Sequence, residues 1–424
     1  MESIRTIMRR CMGIGEMNTV VKKYLNVNTM CICIAIALCF QRLSMAVGSI
    51  FWGLSIALFL FLLYNSYRAG TLREIASNYK SYYKILAFML LCFVPSVLFS
   101  VDVETSVKAF LEMWVYRLIP FFMVTFFIRE KEWLKKIFVA FVIATCIDCL
   151  VATYQVYYMN VERGWGFGGN SLNLASLLSV ITPILAVVVF DDIFLVKLKK
   201  LCILALMCCF LGIIAGKSRG TWLTLCIVLP MISIYYMVKS KKVLVSCLVL
   251  AIAIGLIFTH NDYLHQRLVS IGNTTTDVSN ADRIRVWKST FNIISDYPIT
   301  GVGLGNFREV YIKGNYRLKD TVQDLIHSHN NYLQLWSEGG TIGFVGFMTM
   351  SLYILITNIK LWLKTKSPFT LMIWGSWLSF MFFGMFDLII DHSAITKVWW
   401  FLLGMLLVLE NDRKKNSKEE CSKF

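Results

Sequence analysis

The chain has 424 residues, of which 57% are hydrophobic and only 16% charged, with a formal net charge of +16 and a mean hydropathy of +0.63. Soluble domains carry about 45–50% apolar and about 25% charged residues. Because the apolar excess runs along the whole length, an ordinary soluble enzyme and a soluble domain with one anchor are both excluded.

The opening stretch MESIRTIMRRCMGIGEMNTVVKKY is too long and polar ahead of the first apolar run to resemble a cleaved signal peptide. Apolar runs able to cross about 30 Å of hydrocarbon then follow at 25–41, 44–64, 84–100, 107–128, 137–158, 174–190, 201–215, 221–238 and 243–259. Three more lie at 341–363, 369–389 and 393–409. The predicted fold class is all-α, a polytopic integral membrane protein of about twelve transmembrane helices with one large, partly helical external loop. Residues 1–259 would hold about nine helices, 260–340 the loop, 341–410 about three helices, and 411–424 a basic tail. The 13 cysteines sit mostly inside apolar runs, where they read as small buried hydrophobes, and the long loop has none.

Charge sets the expected threading. With the N-terminus inside, 27 of the 42 Lys and Arg fall in inside segments, and eight more lie in the long loop, which the positive-inside rule does not count. Both termini are therefore expected in the cytoplasm. The positive charge needs no nucleic acid partner, since no basic helix, zinc-ligand spacing or aromatic-plus-basic platform accompanies it. This threading sends all five histidines, His260, His265, His327, His329 and His392, to the outer face. The polar breaks GKSRG (216–220) and ERGWGFGGNSLN (162–173) go with them.

About eighty residues are too many for a plain connection. Within them Ile284, Trp287, Phe291 and Ile294 recur at helical spacing, which predicts an amphipathic helix lying on the outer interface. Pro298 and the glycines of GVGLGNF end it. With no strand before the glycines, a tight turn that lets backbone approach something closely fits better than a nucleotide loop. Along the spans, Lys108 and Glu112 stand four apart and are expected to pair, while Arg117 and Asp148 lie near span edges. No repeat between halves and no deep acidic residues speak for a proton-coupled transporter.

Three constellations carry possible chemistry. Arg219, with Lys217 beside it, stands where hydrocarbon ends; it either snorkels to the surface or clamps an anionic group. Arg283 and Arg285 are two apart on the loop helix, so at most one faces the site that Arg219 faces; the plain alternative is a solvated basic surface. His327 and His329 stand at the entry to the next span, and an imidazole there suits proton removal from a hydroxyl. A surface role is the plain alternative, and no HExxH or cysteine pair supplies a metal set. Asn330, Asn331 and Glu338 can equally cap the helix and satisfy its first N–H groups.

At these residues the chain resembles a known family. HSHNNYLQLWSEGGTIGFVGF (327–347) is similar to the signature of the O-antigen ligase superfamily, the WaaL- and Wzy-type lipid-linked glycan transferases. FGGNSLNLASLL, GKSRGTWLTL and DRIRVWKSTFNIISDYPITGVGLGNF resemble three further segments in the family's order. The resemblance implies a glycosyltransferase on the periplasmic face of the bacterial inner membrane. It would move a glycan from an undecaprenyl-pyrophosphate donor to an acceptor hydroxyl, with no cofactor, metal or nucleotide. It implies that Arg219 and Arg283 hold the donor pyrophosphate, Arg283 being preferred because it precedes Trp287 by four. His329, directly before Asn330, would be the base or acceptor-positioning residue, with His327, Asn330, Arg285 and Lys217 secondary. Lipid A–core is the first expectation for the acceptor. A second glycan (polymerase) or a protein (O-oligosaccharyltransferase) is the alternative within the family, and a lipid-linked glycan transporter the alternative outside it.

Overall fold

The computed structural model describes residues 25–273, 277–318 and 326–421, with backbone alone for 417–421. The polar opening stretch 1–24 lies outside the described residues. Every regular element described is helical. Helices α1 (Val27–Leu43) and α2 (Met45–Arg68) form a hairpin; α3 (Leu72–Ser77) is a short link and α4 (Lys80–Leu98) the next long helix. α5 (Val103–Phe110) passes through a π turn at Leu111–Val115 and a 3-10 turn at Tyr116–Leu118 into α6 (Ile119–Phe127). Then come α7 (Lys131–Tyr157), α8 (Ser171–Phe190), α9 (Val196–Gly216), α10 (Arg219–Lys239) and α11 (Lys241–His260). The long loop carries α12 (Asp262–Val269), α13 (Val278–Asp296) and α14 (Phe307–Lys313). α15 (Asn331–Thr365), α16 (Pro368–Phe383) and α17 (Ser393–Cys421) close the bundle.

Among the described residues ten helical stretches are long and apolar enough to span a bilayer, α5 to α6 counting as one, and α1 and α16 are shorter apolar helices. Together they match the twelve runs read from the sequence one for one. The chain is a polytopic membrane protein. Helix starts follow local chemistry. A short polar side chain accepts a first-turn N–H at Asn26, Asp102, Asn170, Ser240, Asn261, Asp277 and Asn330.

The core runs through α8, which is buried along most of its length between α9, α10 and α16. A tryptophan cluster joins α16 to α17: Trp377 lies 4.0 Å from Trp399 and 4.9 Å from Phe380 between ring centres. By contrast, no residue of α11 is buried. In a bilayer this is no defect, since lipid chains are as apolar as the side chains they meet.

Two expectations are corrected. Lys108 pairs with Glu104 at 2.5 Å, not with Glu112, whose carboxylate meets Arg117 at 2.9 Å. The π turn between Lys108 and Arg117 breaks the α-helical spacing on which the first pairing rested. On α13 the buried side is Val286, Ser289, Thr290, Ile293 and Ile294, with Asp282, while Phe291 is 50% exposed. Small and β-branched residues pack inward because that side meets α15 and α14 as well as its own small core with Phe307 and Tyr311.

The glycine run docks against a break in α15. Gly340 has φ +61 inside that helix, and Gly301, Gly303 and Gly305 all have positive φ. Val302 N–H donates to Ser337 O at 2.9 Å and Thr341 N–H to Pro298 O at 2.9 Å. A Cβ at Gly301 would meet Gly340 N at 2.5 Å. The close approach expected of this turn is therefore to the chain's own helix, and it fixes the loop over one end of the bundle.

Candidate functional site

The site is assembled at that end. α9 stops at Gly216, Lys217 takes a left-handed φ of +49°, and α10 begins directly at Arg219. The Arg219 guanidinium turns towards the long loop. Its Nη1 donates to Asp277 Oδ2 at 2.8 Å and to Ser270 Oγ at 2.9 Å, and its Nη2 to Asp277 Oδ1 at 3.3 Å. Asp277 also caps α13 by accepting from Asn280 N–H at 2.9 Å. Positive charge from Arg219 and these donors hold its carboxyl below the usual value although burial opposes this. Arg219 thus ties α10 to the start of α13.

One and a half turns along α13 stands Arg283, which makes no hydrogen bond or ion pair among the described residues and lines the same cavity. Burial lowers its pKa, with Asp387 acting against that and Arg219 adding to it. Arg285 points elsewhere, to Asp282 at 2.7 Å, as the two-residue spacing required. Trp287 completes this face by donating to Ser328 O at 2.9 Å, which joins α13 to the histidine turn.

In that turn His329 has φ +50, and its Nδ1 lies 3.0 Å from Asp387 Oδ1. Burial would raise the Asp387 carboxyl, but the His329 hydrogen bond and the charges of His329, Arg283 and His327 bring it to about 2. An ionised carboxylate can only accept, so Nδ1 carries the proton and Nε2 is left as the basic nitrogen. His327 packs against His329 with ring centres 4.0 Å apart, and its Nδ1 accepts the His329 N–H at 3.3 Å. Burial, then the neighbouring His329, lowers the His327 pKa to about 4.

Arg163, Arg219, Arg267, Arg283, His329 and Asp387 all line one cavity of about 240 Å³. Space on this scale holds about eight waters, or a diphosphate-sized group. Leu172, Phe383 and Phe386 form an apolar part of the wall. Sequence reasoning did not single out Arg163, Arg267 or Asp387. Two signals were present: an arginine inside the glycine-rich ERGWGFGG break, and an aspartate, Asp387, inside a run assigned to hydrocarbon. The two added arginines are aimed by the end of α9. Arg163 Nε donates to Gly216 O at 3.1 Å and Arg267 Nε to Lys217 O at 3.4 Å. Carbonyls at a helix C-terminus lack intrahelical partners and attract cations. Each guanidinium is anchored through Nε, and both residues line the cavity.

Four guanidinium groups against one lining carboxylate make a site for an anion, with a carboxylate-oriented imidazole beside it. Among the described residues no three His, Cys, Asp or Glu side chains cluster as metal ligands. The secondary candidates Lys217 and Asn330, and the capping candidates Asn331 and Glu338, make internal contacts. Lys217 lies over the Tyr263 ring at 4.0 Å from its centre. Asn330 caps α15, accepting from Tyr332 and Leu333 N–H at 2.9 and 3.1 Å. Asn331 accepts from Ile389 N–H at 2.9 Å, and Glu338 from Gln334 Nε2 at 3.0 Å.

Residues 204–348 match a family model described as O-antigen ligase. A Rickettsia felis protein named "Putative polysaccharide ligase" is 27% identical over 140 residues, covering 32% of this chain and 32% of its own length. A Haemophilus influenzae protein named "Uncharacterized protein" is 24% identical over 249 residues, 53% of this chain and 60% of that one. The matches thus span less than two thirds of either relative. The family match begins inside α9, crosses the long loop and ends in α15, so it contains Arg219, Arg267, Arg283 and His329. Residues 204–348 of this polytopic membrane protein thus carry the match to the O-antigen ligase family model.

Proposed function

We propose that the chain is a membrane glycosyltransferase that moves a glycan from undecaprenyl pyrophosphate to an acceptor hydroxyl of lipid A–core, on the periplasmic face of the bacterial inner membrane. The observation that carries this reading is the shared cavity. Arg163, Arg267, Arg283 and His329 line one space of about 240 Å³ at the polar end of an apolar bundle. A lipid-borne diphosphate has its prenyl chain in the bilayer and its charge at the surface, and this cavity offers guanidinium forks for that charge.

In the proposed step the acceptor hydroxyl oxygen bonds to the anomeric carbon of the donor sugar, and the bond from that carbon to the pyrophosphate oxygen breaks. His329 Nε2 takes the hydroxyl proton while Asp387 holds Nδ1–H and stabilises the imidazolium. The electron pair leaves on undecaprenyl pyrophosphate, whose growing charge the fixed arginines stabilise without reorganisation. The donor brings its own leaving group, so no nucleotide is consumed. The periplasmic orientation rests on the Lys and Arg bias of the loops.

Purified protein in nanodiscs, given an undecaprenyl-pyrophosphate glycan with lipid A–core and neither nucleotide nor added metal, should form glycosylated lipid A–core. Lengthened donor glycan in place of that product would assign a polymerase. No transfer, together with glycan translocation that persists in His329→Ala, would overturn the enzyme reading in favour of transport.

A further inference from the structure

Arg163 is the cavity arginine that lies farthest from the O-antigen ligase match in sequence, on the connection from α7 to α8. That connection is unusually well fixed. Gln155, near the end of α7, accepts from both Trp165 and Gly166 N–H at 2.9 Å and donates to Gly166 O at 2.8 Å. Asp148, about two turns earlier on the same helix, accepts from Phe167 N–H at 2.8 Å and is ion-paired with Arg42 at the end of α1. Arg42 Nη2 in turn donates to Trp165 O at 2.9 Å. All three side chains are at least nine-tenths buried. The fit leaves no room for side chains opposite: a Cβ at Gly168 would meet Arg42 Cζ at 2.7 Å, and one at Gly166 would run into the Asp148 carboxylate.

A buried ion pair is a poor way to stabilise a fold, because desolvation offsets its attraction. Here both partners spend their remaining hydrogen bonds on the backbone of residues 165–167, immediately after Arg163. The chain is held on both sides of Arg163: before it Val161 N–H donates to Gln155 O at 3.0 Å, and directly after it Gly164 N–H donates to Ala215 O at 2.9 Å. A guanidinium held in place before its ligand arrives loses less entropy on binding.

We propose that Arg42, Asp148 and Gln155 are positioning residues that hold Arg163 as a diphosphate-binding residue, so that helices outside the O-antigen ligase match complete the anion site. This rests on the donor reading given above.

The test measures binding of farnesyl pyrophosphate, a short polyprenyl pyrophosphate, to the full-length protein in nanodiscs by calorimetry, with donor KM and kcat alongside. Arg163→Ala should weaken binding roughly tenfold or more, the scale of one charge-assisted contact. Gln155→Ala should do the same with kcat retained, and Gln155→Ala/Arg163→Ala should be no weaker than Arg163→Ala alone. The paired change Arg42→Met with Asp148→Leu leaves no lone buried charge, and is expected to match Gln155→Ala in affinity. Wild-type affinity in the Gln155 and paired variants, or losses that add to that of Arg163→Ala, would overturn the positioning role while leaving the donor reading intact. Absence of binding by the wild-type protein would overturn both.

Discussion

Arg219 and Arg283 are both basic residues at the edge of the membrane and occupy the same cavity, yet the structure treats them differently. Arg219 spends both terminal nitrogens on Asp277 and Ser270 and thereby fastens the long loop to α10. Arg283 has no hydrogen bond or ion pair among the described residues, is largely withdrawn from solvent, and stands beside Asp387. A bound anion would find Arg283 free and Arg219 already engaged. The comparison teaches that a clamp of several arginines divides its labour. In the proposed anion site one arginine holds the architecture, and Arg283, with Arg163 and Arg267, would serve the ligand.

The largest effect should come from neither arginine. If the arginines only bind and His329 moves the proton, His329→Ala should lower kcat by roughly 10²–10⁴ while farnesyl pyrophosphate binding stays near wild type. A matching loss of binding would place His329 in the anion clamp instead. Next, Arg283→Ala should weaken donor use about ten- to a hundredfold with no fall in melting temperature, since it removes no internal contact. Arg219→Ala should show the reverse balance. A smaller loss in donor affinity should accompany a destabilisation of about 2 kcal/mol, seen as faster proteolysis of the long loop, and Asp277→Ala should reproduce it. Equal kinetic losses with equal stability in Arg219→Ala and Arg283→Ala would erase the distinction.

A separate effect is on stability against pH. His327, held near 4 against an ordinary 6.5 by burial and His329, stays neutral in the fold while the unfolded chain takes up a proton. His392 shifts in the same direction, burial again leading. Stability should therefore decline as pH falls from about 6.5 towards 4, by up to ~3 kcal/mol for His327. His327→Asn should flatten part of that slope in denaturation curves taken across the window. Asp387 acts lower: its contribution, present above its ordinary value near 3.8, should be lost as pH approaches 2.

Much of this was legible in the sequence, for a physical reason. Twelve apolar runs became twelve apolar helices because a bilayer demands that backbone groups be satisfied within each segment. The two-residue spacing of Arg283 and Arg285 did separate them, and the glycines of GVGLGNF did permit a close backbone approach. Less was legible where contacts cross the chain. The partner of Lys108 depended on a π turn that spacing does not reveal. The buried side of α13 depended on which helices received it, so a stripe of large apolar residues was a poor guide. Asp387 was hidden inside an apolar run because its hydrogen-bond partner lies fifty-eight residues earlier.

The sequence by itself determined the membrane character, the number of apolar helices, the polar breaks and the O-antigen ligase motifs, because hydropathy, capping and turn chemistry act over a few neighbouring residues. Only the tertiary structure decided which charges meet. It carried Arg163, Arg219, Arg267 and Arg283 to one cavity and set Asp387 behind His329. Electrostatic and hydrogen-bonding interactions act over a few ångströms of space, and folding brings within that range residues that stand hundreds of positions apart in the chain.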